Sequence, residues 1–146
     1  MSLTKTKQPF LALSKICLNN WHYLDQKVLS FNDGINFFTG HSGSGKSTVI
    51  DAMQIVLYAN TDGRGFFNKA AADDSDRSLI EYLRGMVNIG ENNESQYLRN
   101  QNFSSTIVLE LEQTDTKEKQ CVGVVFDVET ATNEINRLFF WHKSGL

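Results

Sequence analysis

A short glycine-rich run constrains this chain more than any other feature of its sequence. The run matches the pattern G-x-x-x-x-G-K-[ST]; apolar residues 35–39 precede it and helix-like residues 48–58 follow it. Glycines let a backbone wrap closely around an anion, and N–H groups at the start of a helix then converge on that anion. Strand, loop and helix are the context in which this pattern binds a phosphate. The run consists of Gly40, His41, Ser42, Gly43, Ser44, Gly45, Lys46, Ser47 and Thr48.

The same pattern assigns roles to the polar residues at its end. Lys46 is predicted to reach the β- and γ-phosphates of a nucleotide, and the Ser47 hydroxyl is predicted to ligate Mg²⁺. A chance match in a glycine-rich turn is the alternative. The strand-like run before the loop and the helix-like run after it argue against chance. The sequence therefore predicts a nucleotide-binding site at residues 40–48.

Composition indicates an ordinary globular chain and narrows the function classes. The 146 residues suffice for one domain with a core, and 40% of them are hydrophobic and 21% charged. A net charge of −3 provides no general basic surface for nucleic acid. No apolar run reaches the length of a membrane span and no leader pattern opens the chain, so we expect a cytoplasmic location. Cys17 and Cys121 form no C-x-x-C pair, which fits a reducing compartment.

The periodicity of apolar residues predicts strands at both ends of the chain and helices between them. Short links between the last three strands favour an antiparallel meander. A turn is predicted at residues 19–20 and a hairpin turn at residues 32–34. The predicted strands lie at residues 10–18, 27–31, 35–39, 106–112, 120–127 and 135–141, and the helices at residues 48–58 and 78–87.

The middle of the chain combines helices with polar segments. Residues 59–76 are predicted to form a long surface loop, and residues 88–102 are predicted to be polar and flexible. Gly85 and Gly90 stand where C-terminal signals of the second helix belong. The first helix is predicted to pack through an apolar face made of Val49, Ile50, Met53, Val56 and Leu57.

Several enzyme classes use phosphate-binding loops, so other motifs must choose among them. A GTPase needs the base-reading pattern Asn-Lys-x-Asp, and residues 68–71 lack its Asp. A self-contained small-molecule kinase is harder to exclude, since Arg77 and Arg84 would be available as lid arginines. Such kinases alternate strands and helices throughout, whereas this chain ends in strands alone. A nucleotide-binding module without turnover is a third, weaker alternative.

Residues 39–54, which contain the glycine loop and Asp51-Ala52, resemble the N-terminal head motif of SMC-type ATPases. These are ABC-like proteins that include the SbcC nucleases, MukB and the condensin subunits. The loop departs from the family pattern at His41-Ser42, where the family most often has an Asn. Residues 67–71 and 77–85 are similar to the MukB/MksB-like branch, which includes the JetC subunit of the Wadjet plasmid-defence system.

The resemblance implies an α/β P-loop NTPase fold, with residues 1–146 forming the ABC-type N-terminal lobe and its antiparallel β subdomain. ATP and Mg²⁺ are the implied cofactors, bound between two heads of a longer protein. The implied partners are the C-terminal half of the same head, a second head in an ATP sandwich, DNA and accessory subunits. Because the chain has no Ser-Gly-Gly signature segment, it is predicted to be an N-terminal fragment that lacks catalytic residues of its own.

Aromatic and acidic residues outside the loop leave alternatives open. Trp21 is either an aromatic that stacks on adenine or a partly buried core residue. Tyr23 is a second candidate for stacking on the base. Asp127 and Glu129 end an apolar run that partly matches a Walker B motif. They share a face of the predicted strand, so they are more simply solvent-side residues.

Other polar residues carry weaker hypotheses. Gln113 or Gln120 is a candidate for the Mg²⁺-coordinating glutamine that ABC-type heads possess. His22, His41 and His142 have no metal-ligand spacing. A group of basic residues in the middle of the chain is either a solvated face or a contact to DNA in a larger complex. The group consists of Arg64, Lys69, Arg77, Arg84 and Arg99.

Overall fold

The protein forms an antiparallel sheet with two helices packed against one face. The computed structural model describes residues 8–31, 46–57, 76–89 and 95–146. The five strands of this sheet lie in the order β2-β1-β5-β6-β7, and β3 and β4 form a separate pair. The elements are β1 Leu11–Trp21, β2 Leu24–Ser30, α1 Lys46–Leu57, α2 Asp76–Arg84, β3 Met86–Ile89, β4 Ser95–Tyr97, β5 Phe103–Gln113, β6 Lys119–Glu129 and β7 Glu134–His142.

The predicted meander is confirmed, and it continues into the opening strands. β5, β6 and β7 pair antiparallel in sequence order. β1 pairs antiparallel with both β2 and β5. Strands from the two ends of the chain therefore form one continuous sheet, and the fold is a mixed α/β arrangement with antiparallel pairing.

One face of the sheet supplies the hydrophobic core. Alternate residues of β1, β5 and β6 point to this face, as the period of two in a strand requires. α1 and α2 cover them with their own apolar side chains, so the helices are stabilised by packing on the sheet. The buried core residues are Ile16, Leu18, Trp21, Val49, Ala52, Ile55, Val56, Leu79, Ile80, Leu83, Ile107, Leu109, Val124, Phe126 and Val128.

Helix α1 packs through a face that overlaps the predicted one, since Val49 and Val56 are buried as predicted and Met53 packs against the core. Ile50 is 37% exposed and Leu57 is 57% exposed, although the apolar pattern placed both inside. Ala52 and Ile55 are fully buried instead. The prediction was therefore right for three of its five residues and wrong for the other two, because the buried side of the helix is centred closer to Ala52 and Ile55.

Helix α2 ends earlier than predicted because of Gly85. The glycine has φ +70°, and its N–H bonds to the carbonyls of Glu81 and Tyr82 at 3.3 and 3.2 Å. This left-handed conformation ends a helix and favours glycine. A Cβ on Gly85 would also stand 2.9 Å from the His22 carbonyl oxygen. The chain then enters β3, so the predicted polar segment at residues 88–102 contains parts of two paired strands.

The turn between the first two strands also lies later than predicted. Asn19 and Asn20 belong to β1, and the turn falls at His22 and Tyr23. Asn20 has φ +49°, which interrupts the regular alternation just before Trp21. The predicted turn at residues 32–34, the strand at 35–39 and the loop at 59–75 lie outside the described residues.

The opposite face of the sheet contains a buried carboxylate. Glu110 is 0% exposed, and its Oε1 accepts a hydrogen bond from the Ser14 hydroxyl at 2.6 Å. Its Oε2 accepts from the Leu146 N–H at 2.7 Å, and Lys119 Nζ lies 3.6 Å from Oε1. A register shift between Leu13 and Lys15 brings Ser14 opposite this carboxylate.

Both cysteines, which lie in β1 and β6, are free.

Candidate functional site

The end of the glycine loop forms the first turn of helix α1. Gly40, His41, Ser42, Gly43, Ser44 and Gly45 lie outside the described residues, whereas α1 begins at Lys46. The predicted helix after the loop is therefore confirmed, and Lys46, Ser47 and Thr48 are its first residues. N–H groups in the first turn of a helix have no helical acceptor, so they are available to an anion. A lysine and a serine at a helix start are the residue types that the phosphate-binding pattern requires.

Trp21 supports the first turn of α1 from inside the core. Its indole Nε1 donates to the Thr48 carbonyl oxygen at 3.0 Å. The ring packs edge-on against Tyr82 at 5.3 Å and nearly parallel to Phe126 at 6.3 Å between centroids. Trp21 is 0% exposed, so no ring face is open to a base. The hypothesis that Trp21 stacks on adenine is thus corrected, and its alternative, a core aromatic, describes the residue.

Tyr23 is the exposed aromatic at this end of the sheet among the residues described. It lies in the turn between β1 and β2 and is 53% exposed. Its ring centroid is 3.9 Å from that of His22. Of the two aromatic side chains considered for base stacking, only Tyr23 is accessible.

A carboxylate and a phenol meet behind the first turns of α1. Asp51 is 8% exposed, and its Oδ2 accepts a hydrogen bond from the Tyr82 hydroxyl at 3.3 Å. Burial raises the pKa of the Asp51 carboxyl, and the bond from Tyr82 opposes that rise. Burial, followed by the nearby Asp51 charge, raises the pKa of Tyr82, and the nearby Thr48 side chain opposes that rise. Tyr82 therefore remains a protonated donor.

Sequence patterns could not identify this pair. Asp51 stood out only through its place in the head motif, and Tyr82 belonged to a helix of ordinary amphipathic pattern. The two residues are far apart in sequence and lie on different helices. The one indication in the sequence was the Tyr82 hydroxyl, a polar group on the apolar side of its predicted helix, which needs a hydrogen-bond partner when it is buried.

His22 and Arg99 fasten the β1–β2 turn to helix α2. The His22 ring stacks on Tyr82 at 4.0 Å with 5° between planes, and its Nδ1 donates to the Tyr82 carbonyl at 2.8 Å. Burial lowers the pKa of His22, against that backbone hydrogen bond. Arg99 donates to the carbonyls of His22 and Leu83, each at 2.6 Å, and to that of Leu24 at 3.1 Å. The turn and the end of α2 are thereby held together.

Two members of the predicted basic group have structural roles. The Arg99 side chain is 9% exposed and pairs with Asp25 at 3.2 Å. Arg84 lies over the Tyr97 ring at 4.0 Å and donates to the Arg99 carbonyl at 2.9 Å. A contact to DNA through these two side chains is therefore not supported. Arg64 and Lys69 lie outside the described residues, and the Arg77 side chain is not described.

Asp127 does not occupy the position of a metal-binding acid. It follows Phe126 and precedes Val128, both buried against the helices, so Asp127 points to the other face of the sheet. There it is exposed and accepts a hydrogen bond from the Ser104 hydroxyl at 2.5 Å. Glu129 is exposed as well, as expected for residues that share the solvent side.

The two glutamines considered as metal ligands lie at the wrong end of the sheet. Gln113 pairs with Leu11 at the start of β1, whereas Trp21, which contacts Thr48, is at the end of that strand. At the rise of an extended strand, these two ends are roughly 30 Å apart. Gln120 accepts a hydrogen bond from the Trp141 indole at 2.7 Å. The glutamine hypothesis is therefore wrong for both.

The described residues contain neither a cluster of metal-ligating side chains nor a helix that could span a membrane. In residues 8–31, 46–57, 76–89 and 95–146, no three His, Cys, Asp or Glu side chains are grouped so that they could hold a metal ion. No helix in those same ranges has both the length and the apolar character needed to cross a membrane.

Residues 13–74 match the family model described as the P-loop containing region of AAA domain. The matched segment includes most of β1, all of β2, the glycine loop and α1. None of the curated proteins compared with the chain matches it. Residues 13–74 are thus similar to a P-loop NTPase segment, which indicates nucleotide binding in general.

Proposed function

We propose that the chain is the ATP- and Mg²⁺-binding N-terminal lobe of an SMC/MukB-like, ABC-type ATPase head. The observation that carries the proposal is that α1 begins at Lys46, the lysine of the phosphate-binding pattern. The family match that spans the loop supports nucleotide binding. The antiparallel sheet formed by opening and closing strands supports the β subdomain of such a lobe.

In this proposal the backbone of residues 40–45 and the first turn of α1 surround the nucleotide phosphates. Lys46 contacts the β- and γ-phosphates as a point charge, and the Ser47 hydroxyl is a ligand of Mg²⁺. Tyr23 replaces Trp21 as the aromatic that contacts the base, because its ring is exposed in the β1–β2 turn, two residues after the Trp21 indole that bonds to Thr48. The bound metal neutralises phosphate charge, and this chain contributes binding and orientation.

Within a longer protein, the lobe would pair with the C-terminal half of its own head and with a second head across ATP. Exposed apolar residues on the two edge strands support a partner surface of this kind: Val28 in β2 is 61% exposed and Leu138 in β7 is 66% exposed. Head engagement would then be coupled to DNA, with accessory subunits, in chromosome organisation, repair or plasmid defence.

The kinase alternative is less well supported. A small-molecule kinase alternates strands and helices around a parallel sheet, and every pairing between described strands is antiparallel. Its candidate lid residue Arg84 stacks on Tyr97.

Binding of MgATP to the chain and to its Lys46→Ala variant tests the nucleotide site. Losing a charged hydrogen-bonding partner of the phosphates should weaken affinity roughly tenfold to a hundredfold. Lys143→Ala is the matched control, because it removes the same charge from an exposed position. Equal affinity of the Lys46 and Lys143 variants would show that the loop does not bind phosphate.

Phosphate release from MgATP separates the head lobe from the kinase alternative. The chain should hydrolyse ATP no faster than background, because the groups that orient water and stabilise the transferred phosphoryl group come from other segments. Turnover of about one per second that disappears in Lys46→Ala would contradict the lobe proposal and favour a complete enzyme.

A further inference from the structure

Tyr82 occupies a rigid position between the β1–β2 turn and helix α1. Its ring is stacked on His22 and contacts the edge of Trp21, and its carbonyl oxygen accepts from His22 Nδ1. The neighbouring residues Leu79, Ile80 and Leu83 anchor α2 in the core. The position of the Tyr82 hydroxyl is therefore determined by packing on several sides.

Among the described residues, that hydroxyl bonds to the second turn of α1. It donates to Asp51 Oδ2 at 3.3 Å. Trp21, which contacts the Tyr82 ring, donates to the carbonyl of Thr48. The hydrogen bonds from Tyr82 and from Trp21 therefore both reach α1 within five residues of Lys46, where the helix begins.

The Asp51 carboxylate is largely removed from water, so it depends on this partner. Among the described residues, Tyr82 is the hydrogen-bond donor to Asp51. An unpaired buried carboxylate would be drawn toward solvent, and the helix that carries it would shift or rotate. A phenol whose ring is stacked on His22 and packed edge-on against Trp21 prevents such a shift.

We propose that Tyr82 is a positioning residue for nucleotide binding: through Asp51, its hydroxyl holds the start of α1 in the orientation that presents its first turn to a phosphate. The inference rests on the proposed nucleotide-binding function. Hydrogen bonds from a helix start to a phosphate depend on distance and angle, so a small rotation of α1 weakens several of them together.

Tyr82→Phe tests the proposal, because it keeps the ring and removes only the hydroxyl. MgATP affinity should fall on the order of threefold to tenfold, the effect of one lost hydrogen bond. Tyr97→Phe makes the same chemical change in β4, under Arg84, and should keep affinity within about twofold. Urea unfolding of both variants establishes that they are folded at the assay temperature.

Substitutions at Asp51 distinguish positioning from a general loss of stability. Asp51→Asn keeps an acceptor for the Tyr82 hydroxyl and should retain affinity within about twofold, whereas Asp51→Leu should weaken binding as Tyr82→Phe does. Because the two residues act as one unit, the double variant Tyr82→Phe/Asp51→Leu should bind no more weakly than the weaker single variant. Additive losses would overturn the proposal.

The outcomes also separate this inference from the proposed function. If wild type and Lys46→Ala bind MgATP equally, both the nucleotide site and the role of Tyr82 are rejected. If Lys46→Ala loses affinity while Tyr82→Phe binds like wild type, only the role of Tyr82 is rejected. A loss in both Lys46→Ala and Tyr82→Phe, with Tyr97→Phe unchanged, supports both.

Discussion

Asp51 and Glu110 are both buried carboxylates, but their surroundings affect their protonation in opposite directions. Burial raises the pKa of Asp51, and the bond from Tyr82, its donor among the described residues, does not compensate. Burial also acts to raise the pKa of Glu110, yet the bonds from Ser14 and the Leu146 N–H, with the Lys119 charge, lower it overall. Glu110 is thus held as an anion, whereas Asp51 is desolvated with few partners.

The difference separates a structural carboxylate from a candidate functional one. Glu110 lies on the sheet face opposite the helices, where its partners satisfy both oxygens. Asp51 lies on α1, close to the predicted phosphate site. Residues kept with incomplete satisfaction tend to occur near functional sites, where geometry serves binding at the expense of stability. Substitutions in the two regions should therefore change different properties.

The largest expected effect is on stability, at Glu110. Glu110→Ala removes the carboxylate that accepts from the Leu146 N–H and the Ser14 hydroxyl, which should cost roughly 2–3 kcal/mol of unfolding free energy although the hydroxyl keeps the Glu110 carbonyl as an acceptor at 3.2 Å. MgATP affinity should not change, because the carboxylate is remote from α1. Urea unfolding and nucleotide titration measure the two quantities. Glu112→Ala, beside it on β5 in a looser pair with Lys117 at 3.8 Å, should change stability by less than about 0.5 kcal/mol.

Gly85→Ala acts on the region around Tyr82 and Asp51, and it should lower both stability and MgATP affinity. The left-handed φ of +70° disfavours a side chain by about 1–2 kcal/mol, and the added Cβ would press on the His22 carbonyl. Displacing His22 also displaces Tyr82, so MgATP affinity should fall together with stability. Thermal unfolding and nucleotide binding check this. Unchanged affinity in a destabilised variant would show that the turn does not influence α1.

Opposite pH dependences provide a subtler test of the comparison. Since the Glu110 pKa lies below its ordinary 4.5, its contribution is present above that pH and is lost as the pH falls through the lowered value. Since the Asp51 pKa lies above its ordinary 3.8, its charge costs stability as the pH rises through the raised value. As the pH rises over this acidic range, the unfolding free energy of wild type should increase relative to that of Glu110→Gln. Over the same range, it should decrease relative to that of Asp51→Asn. Parallel curves would contradict the comparison.

The smallest effect is expected at Asp127. Asp127→Ala removes an exposed partner of Ser104 and should change neither MgATP affinity nor, beyond about 0.5 kcal/mol, stability. A marked loss of nucleotide binding in this variant would restore the interpretation of Asp127 as a metal-binding acid.

Local patterns in the sequence determined the elements that depend on neighbouring residues. The glycine loop pattern predicted a helix at its end, and α1 begins at Lys46. Alternating apolar residues joined by short turns predicted the meander of β5, β6 and β7. Both arise from local geometry, because backbone period and turn chemistry act over a few residues.

Contacts between distant segments decided the rest. The pairing of β1 with β5, the inward position of Trp21 and the bond between Tyr82 and Asp51 all join residues far apart in sequence. The buried face of α1 likewise depends on which side chains meet the sheet, and Ala52 and Ile55 do so where Leu57 does not. Periodicity gives an apolar face but cannot specify its partner. The sequence by itself therefore determined where a phosphate should bind, and only the tertiary structure decided which side chains hold that helix in place.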